Sequence, residues 1–279
     1  MSVGINTNIE YGLDMKSLYA EIKNAGFNNV MIAFKEAEIE ESILEAKRLG
    51  LNIPYVHLSC REANAFWVNS PVNVKYINKL KNEIDICSKY NIPIAIIHPI
   101  AGNPNTKPVG VNKKGLESVL EVVNYAISKN VHLAIENVDK ESLKYLDYIL
   151  ENIPQEKLGY CYDTGHHNLY YPKIDILKKY SNRVIAIHLH DNYMDYKKYD
   201  DYTKDRHLLP FDGKLNYENI TSNIAQSSYN NVIMLEVNKK TLGNPDKYKM
   251  LTLEEYLKEA KKRVDVIEKM IKEKKEILK

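Results

Sequence analysis

The chain has 279 residues, of which 44% are hydrophobic, and its formal net charge at pH 7 is +2. This length exceeds the usual size of one domain, but barrels of alternating strands and helices commonly reach about 250 residues as a single domain. The hydrophobic content is sufficient for a sizeable core. The charge is too small to indicate nucleic-acid binding, which requires local clusters of basic residues.

The cysteine content and the apolar segments bear on the cellular compartment. Three cysteines, Cys60, Cys87 and Cys161, are an odd number without close spacing, which favours reduced thiols over a disulfide framework. The first residues lack the basic start and apolar run of a signal peptide. No segment approaches the roughly 20 apolar residues of a membrane span. We therefore expect a soluble, cytoplasmic protein with no membrane partner.

Short apolar runs, typical of strands buried on both faces, alternate with longer amphipathic segments along the chain. The predicted strands are Val3–Asn8, Asn29–Phe34, Ile53–Leu58, Ile92–His98, Val131–Glu136, Leu158–Asp163, Val184–His190 and Val232–Val237. The predicted helices are Met15–Ala25, Ile39–Leu49, Val74–Tyr90, Lys114–Lys129, Ser142–Glu151 and Asn216–Ser227, and a long final helix begins near Leu253.

Eight strands alternating with helices predict an α/β protein with a single closed (β/α)8 barrel. An open doubly wound sheet is the alternative, but it usually has a glycine-rich turn after its first strand, and the segment NTNIEYG is not one. Nothing interrupts the alternation, so we expect one domain over residues 1–279. The one irregular segment is a long loop, Asp191–Gly213, which is either a solvated connection or a lid over a binding site.

Polar side chains stand at or just beyond the ends of the last six predicted strands. Five are imidazoles and four are carboxylates: His57, His98, Glu136, Asp163, His166, His188, Asp205, His207 and Glu236. One histidine at a strand end is commonly a hydrogen-bonded structural residue. In a barrel of this kind, however, the carboxyl ends of all strands meet on one face. Gathering so many polar groups is costly without a cation. We therefore predict a metal site at the C-terminal face of the strands, with zinc, manganese, cobalt or iron.

A series of short motifs resembles one known family. They are Ile97-His98-Pro99, Ala134-Ile135-Glu136-Asn137, Asp163-Thr164-Gly165-His166, His188-Leu189-His190-Asp191, Asp205-Arg206-His207 and Leu235-Glu236. In this order they resemble the xylose isomerase-like TIM barrel superfamily, which contains sugar isomerases and epimerases as well as the endonuclease IV type of apurinic-site nuclease. The resemblance extends from Val3 to at least Glu236.

The isomerase and epimerase branch implies a metal bound by Glu136, Asp163, His188 and Glu236. The metal would polarise the carbonyl and hydroxyl of a bound sugar. Glu136 and Glu236 would then be the acid and base on the two faces of an enediolate, and the catalytic role of His166 would be to bind a substrate oxygen.

The nuclease branch implies three zinc ions and all nine ligands, and every one of those positions is filled here. We therefore expect more than one divalent ion, Zn or Mn, per chain. The chain nevertheless departs from the nuclease pattern: no glycine-rich loop follows Glu136, Gly165 stands in place of a cysteine, and His190 stands in place of an asparagine. There is also no obvious basic stripe to follow a phosphate backbone.

We therefore favour a metal-dependent isomerase or epimerase acting on a small-molecule sugar or sugar phosphate. An apurinic-site endonuclease or other phosphodiesterase, with nucleic acid as partner, is the alternative, and a catalytically silent metal-binding barrel is a third possibility. His190 and Asp191 are predicted to contact substrate or orient a ligand at the rim. Lys239 and Lys240 are predicted to anchor a phosphate.

The loop after the seventh strand carries tyrosines that could contact a sugar. Tyr193, Tyr196, Tyr199 and Tyr202 each combine an apolar ring with a hydroxyl, which suits stacking on a sugar face. If the loop is a lid, it closes over substrate and excludes water. If it is only a connection, these rings pack on neighbouring helices.

Overall fold

Eight parallel strands form a closed barrel in a computed structural model that describes residues 1–10, 12–101, 109–193, 205–240 and 244–278. Each strand pairs with the next along the chain, and β8 pairs with β1. The strands are β1 Ser2–Asn6, β2 Asn29–Ala33, β3 Asn52–His57, β4 Ile94–Ile97, β5 His132–Glu136, β6 Leu158–Asp163, β7 Val184–Leu189 and β8 Val232–Leu235. The predicted (β/α)8 barrel is confirmed, while the single-domain organisation over residues 1–279 stays a prediction.

Helices surround this barrel. They are α1 Met15–Asn24, α2 Ile39–Arg48, α3 Pro71–Lys89, α4 Lys113–Ser128, α5 Ser142–Asn152, α6 Thr164–Tyr170, α7 Ile176–Lys179, α8 Tyr217–Gln226, α9 Asp246–Met250 and α10 Leu253–Ile277, with short 3-10 helices at Ala63–Trp67 and Ser181–Arg183. The longest, α10, begins with a capping box between Thr252 and Glu255, which satisfies amide groups at its start. None of the helices in the described parts of the chain is long and apolar enough to cross a membrane.

The observed elements differ from the sequence-based ones mainly at their ends and in length. Helix α3 begins at Pro71 rather than at Val74, because proline is well tolerated in the first turn of a helix. Strand β4 begins only after Pro93, which has no amide hydrogen for the strand ladder. The short helices α6, α7 and α9 were not predicted, since segments of four to seven residues carry too little periodic pattern.

The core has two layers, one between the sheet and the helices and one inside the barrel. The inner layer consists of Met31, Tyr55, Ile94, Ile96, Ala134, Cys161, Ala186, Val232 and Met234. Tyr55 is fully buried there, and its hydroxyl donates to the carbonyl oxygen of Ile187 at 2.8 Å. Because these side chains fill the interior, a small molecule can reach the barrel axis only at its ends.

Gly115 allows helix α4 to pack closely against the side chain of Trp67. A β-carbon at this position would lie 2.1 Å from Cε3 of Trp67, whose indole is buried and donates to the carbonyl oxygen of Pro99.

We expect Gly115→Ala to lower the free energy of unfolding by about 1–3 kcal/mol, because the ring has no space into which to move. Chemical denaturation measures this change. The matched control is Glu117→Ala on the exposed face of α4, which should change stability by less than about 0.5 kcal/mol; equal effects of the two substitutions would contradict the packing argument.

Candidate metal centre and active site

The side chains that could bind a metal lie on the inner faces of the strands, next to the inner core layer. Side chains alternate between the two faces of a strand with a period of two, and on six strands a residue of the inner core layer is followed two positions later by a polar one. The pairs are Tyr55 and His57, Ile96 and His98, Ala134 and Glu136, Cys161 and Asp163, Ala186 and His188, and Met234 and Glu236. The apolar segment of β7 therefore ends in His188 because that position is the first above the filled interior.

A central group of four side chains lies at this mouth. The ligand atoms of Glu136, Asp163, His188 and Glu236 all lie within 4.8 Å of one another. Nδ1 of His188 is 3.3 Å from Oε1 of Glu136 and 3.2 Å from Oε2 of Glu236, without hydrogen-bond geometry to either. Cys161 lies beside Glu136 and His188, and burial raises the pKa of its thiol to about 12, which favours the protonated thiol while no metal is bound. The central group thus offers three carboxylates and one imidazole.

A second group adjoins the central one through Glu136. Nε2 of His57 and Nε2 of His98 are 3.0 Å apart, and they lie 3.3 and 3.2 Å from Oε2 of Glu136. Nδ1 of His57 is 2.8 Å from the carbonyl oxygen of Leu58 and donates to it, so Nε2 of the neutral ring carries a lone pair. Glu136 therefore directs one carboxylate oxygen to each of the two groups.

A third group joins the loop after β7 to the barrel. Nε2 of His166 and Nε2 of His207 each lie 3.0 Å from Oδ2 of Asp205. The Nδ1 atoms of the same two rings lie 3.0 and 2.7 Å from the carbonyl oxygens of Asn137 and Glu236. Because Nδ1 of each ring donates its hydrogen to a carbonyl oxygen, Nε2 of the neutral ring would direct a lone pair at the carboxylate oxygen of Asp205. His207 also has a backbone φ of +47°, which is uncommon for a residue other than glycine.

Opposite charges in these groups lower the pKa of Glu136 and raise the pKa values of His98 and His207. Burial raises the pKa of Glu136, but the imidazoles of His188 and His98 outweigh it and hold that pKa well below its usual range. Burial lowers the pKa of His98, but Cys60 and Glu136 outweigh it and raise the pKa to about 10. The pKa of His207 rises to about 10 in the same way, because Asp205 outweighs burial. The carboxylates and the imidazoles at the mouth thus stabilise each other's charged forms.

The donor set fits divalent metal ions. In all three groups, lone pairs of imidazole nitrogen face carboxylate oxygens across distances that require a proton or a cation between them. Mixed nitrogen and oxygen donors suit zinc and manganese. His57, His98, Glu136, Asp163, His166, His188, Asp205, His207 and Glu236 all lie in one of these groups.

Three predicted roles disagree with the positions of their side chains. His166 has both ring nitrogens engaged, which supports its prediction as a ligand and leaves neither nitrogen for a substrate oxygen. His190 is fully buried rather than at the rim, with Nε2 3.0 Å from Oδ1 of Asp163. Asp191 is also fully buried, and its carboxylate accepts from the amides of Asn192, Phe211 and Leu215. Asp191 therefore organises the loop backbone and does not face the mouth.

The lysines and the loop after β7 were also predicted to contact substrate. Lys239 and Lys240 both form ion pairs with Glu10, the former at 3.4 Å, so one carboxylate offsets one of their two positive charges. Tyr193 packs against the outer layer of the core. The remaining tyrosines of the predicted lid, Tyr196, Tyr199 and Tyr202, lie outside the described residues.

Two residues of the site were not predicted. Cys60 lies in the same group as His57 and His98; burial raises the pKa of its thiol, but the imidazole of His98 outweighs burial and lowers it to about 7. The His57-x-x-Cys60 spacing is a signal that could have identified it. Asn137 ties β5 to β6, because its side chain donates to the carbonyl oxygen of Asp163 and accepts from the amide of the same residue. No spacing signal in the sequence marks that role.

Metal binding should depend on pH through the imidazoles. In the metal-free protein the raised pKa values of His98 and His207, about 10 for each, mean that both rings are protonated at neutral pH. A metal ion takes the same nitrogens and expels those protons, so the affinity should rise with pH until about pH 10. Each displaced proton corresponds to about a tenfold gain in affinity per pH unit.

Titration calorimetry with zinc in buffers of different ionisation enthalpy measures both the affinity and the number of protons released. His132→Ala is the control, since His132 is exposed and lies outside the three groups, and it should leave both quantities unchanged. An affinity that is constant or falls as the pH rises would contradict the electrostatic argument.

Comparisons with known proteins agree with this architecture. The fold is similar to the crystal structure of D-psicose 3-epimerase with D-tagatose from Clostridium cellulolyticum H10, with a TM-score of 0.72 and 16% identity over 97% of this chain and 99% of that chain. It is also similar to a structure of L-ribulose 3-epimerase, with a TM-score of 0.76 and 12% identity over 100% of this chain and 98% of that chain. At such identities the likeness shows the fold alone.

A curated relative and a family model extend the comparison to sequence. The chain is 30% identical over 169 residues to an uncharacterised protein of Sinorhizobium fredii (strain NBRC 101917 / NGR234), which corresponds to 57% of this chain and 52% of the relative. The matched region thus spans about half the length of that relative. The family model described as xylose isomerase-like TIM barrel matches residues 19–263. The chain belongs to the xylose isomerase-like TIM barrel family.

Proposed function

We propose that this protein is a divalent-metal-dependent epimerase or isomerase of a small sugar. The observation that carries the proposal is the pair Glu136 and Glu236, which flank Nδ1 of His188 at 3.3 and 3.2 Å. One carboxylate comes from the end of β5 and the other from the residue after β8. Inversion at a carbon requires two proton-transfer groups, one on each face of the substrate.

The central group is the proposed catalytic metal site. Glu136, Asp163, His188 and Glu236 would hold zinc or manganese, which when bound polarises the carbonyl and hydroxyl of the sugar and lowers the cost of removing the neighbouring proton. Three carboxylates with one imidazole suit manganese as well as zinc. Asp163 is fixed for this role because the side chain of Asn137 bonds its backbone on both sides.

The two glutamates divide the proton transfer. One, as a carboxylate, removes the proton from the carbon next to the carbonyl, and an enediolate forms. The other, carrying a proton, returns it to the opposite face, so the configuration at that carbon inverts. Glu136 is almost fully buried at the mouth, where exclusion of water protects the enediolate.

The substrate class follows from two further observations. The structures with this fold named above are 3-epimerases of psicose and ribulose, which supports a ketose as the substrate here. The sugars in those names carry no phosphate, and the buried Lys239 is paired with Glu10 at 3.4 Å. We therefore propose an unphosphorylated ketose, inverted at the carbon next to its carbonyl.

Incubation with a panel of ketoses and their phosphates in deuterated water tests the proposal. We expect inversion of a free ketose with one solvent deuterium at the inverted carbon, detected by NMR and mass spectrometry. Glu236→Gln should lower kcat by about a hundredfold or more, because the amide cannot transfer the proton. Glu117→Gln, on the exposed face of α4 and outside the three groups, is the matched control, and it should retain nearly full turnover. Absence of inversion and exchange with every ketose would refute the proposal.

A zinc-dependent phosphodiesterase of the apurinic-site type is a second candidate. It is favoured by the two further ligand groups beside the central one, since several metal ions together can stabilise the attacking and leaving oxygens of a phosphodiester. The same preparation should therefore be incubated with a duplex that carries an abasic site. Strand cleavage that is lost in Glu236→Gln, with no change in any ketose, would establish this candidate instead.

A further inference from the structure

Gly165 and His190 are two departures from the nuclease pattern, and they are sterically coupled. A β-carbon on Gly165 would lie 2.0 Å from Cε1 and 2.3 Å from Nδ1 of His190. The imidazole cannot withdraw, because it is fully buried and stacks on the ring of His207 with a centroid distance of 3.9 Å. The absence of a side chain at position 165 therefore makes room for the imidazole at position 190.

The two nitrogens of His190 differ in their partners. Nε2 lies 3.0 Å from Oδ1 and 3.1 Å from Oδ2 of Asp163, to which it donates. Nδ1 is buried and makes no hydrogen bond, and it lies 3.9 Å from Oδ1 of Asp205. With the proton on Nε2, Nδ1 presents a lone pair, and a buried acceptor without a partner is costly. A metal ion would satisfy it.

Nδ1 of His190 faces the third ligand group. His166, His190, Asp205 and His207 have one ligand atom each within 4.8 Å of all the others. The outer nitrogens of all three rings are hydrogen-bonded, to Asn137, Asp163 and the backbone of Glu236. Metal-ligating histidines usually donate their second N–H to a carboxylate or carbonyl in this way.

We propose that His166, His190, Asp205 and His207 form a closed metal site with four protein ligands, in which Nδ1 of His190 is the fourth ligand. Three imidazoles and one carboxylate fill the four positions of a tetrahedral zinc ion, as in structural zinc sites. The carboxylate-rich central group instead suits manganese, whose six-coordinate geometry leaves positions open for a substrate. This ion fastens the segment that carries Asp205 and His207 to His166 in α6 and to His190 just after β7, and it takes no part in turnover. The proposal shares with the proposed function only the presence of a divalent ion.

The closed site bears on the choice between the two candidate functions. A phosphodiesterase that uses three ions needs an open position on each ion that contacts the phosphate. A third ion surrounded by four protein ligands has none, so hydrolysis would have to proceed at the other two groups. Turnover of a sugar at the central group of Glu136, Asp163, His188 and Glu236 is unaffected.

Cobalt substitution and metal analysis of the full chain test the site. We expect the cobalt-loaded protein to show the intense visible bands of four-coordinate cobalt. His190→Ala should lose one ion per chain and most of that absorption. His132→Ala, which removes an exposed histidine, should retain both. An unchanged ion count and spectrum in a folded His190→Ala protein would mean that His190 is only a hydrogen-bond partner of Asp163, and the proposal would fail.

A second measurement does not depend on the folding of a variant. In crystals of the zinc-loaded wild-type protein, Nδ1 of His190 should lie about 2.1 Å from a zinc ion; a zinc ion bound by the other three ligands with water in the fourth position would overturn the proposal. Neither readout uses turnover. An inactive protein with the closed site would therefore refute only the proposed function, and an active epimerase without it would refute only this inference.

Discussion

Four carboxylates at one end of the barrel are the constraint on which the rest of the site depends. Glu136 and Asp163 are buried, and Glu236 and Asp205 are largely buried, with 15% and 24% of their side chains exposed. Like charges so close together in a medium of low polarity are strongly unfavourable without compensation. The surrounding imidazoles supply that compensation when protonated, and metal ions supply it when bound. Asp205 raises the pKa of His207 in this way, and Glu136 raises the pKa of His98 together with Cys60.

The barrel explains why much of this could be predicted from the sequence. Strand ends in a parallel barrel converge, and inner positions recur every second residue, so His57, Glu136 and Glu236 could be assigned to one mouth from their places in apolar runs alone. The coupling of Gly165 with His190 could not be predicted, because it arises between the start of α6 and the end of β7. The structural role of Asp191 likewise depends on amides 20 and more residues further along the chain.

Two carboxylates connect the three ligand groups. Glu136 directs one oxygen to His57 and His98 and the other to His188, while Asp163 belongs to the central group and also accepts from Nε2 of His190. A change of charge in one group therefore alters the electrostatic potential in its neighbours. The three groups therefore form one electrostatically coupled cluster at the mouth of the barrel.

The number of metal ions bound per chain tests the central claim most directly. Native mass spectrometry of the protein purified without chelator, calibrated by elemental analysis, counts the ions on each intact chain. If divalent cations compensate the four carboxylates, each chain should bind more than one ion. The claim would be contradicted if the folded protein at neutral pH bound no ion, or only one, from excess zinc. Its imidazoles would then stay protonated.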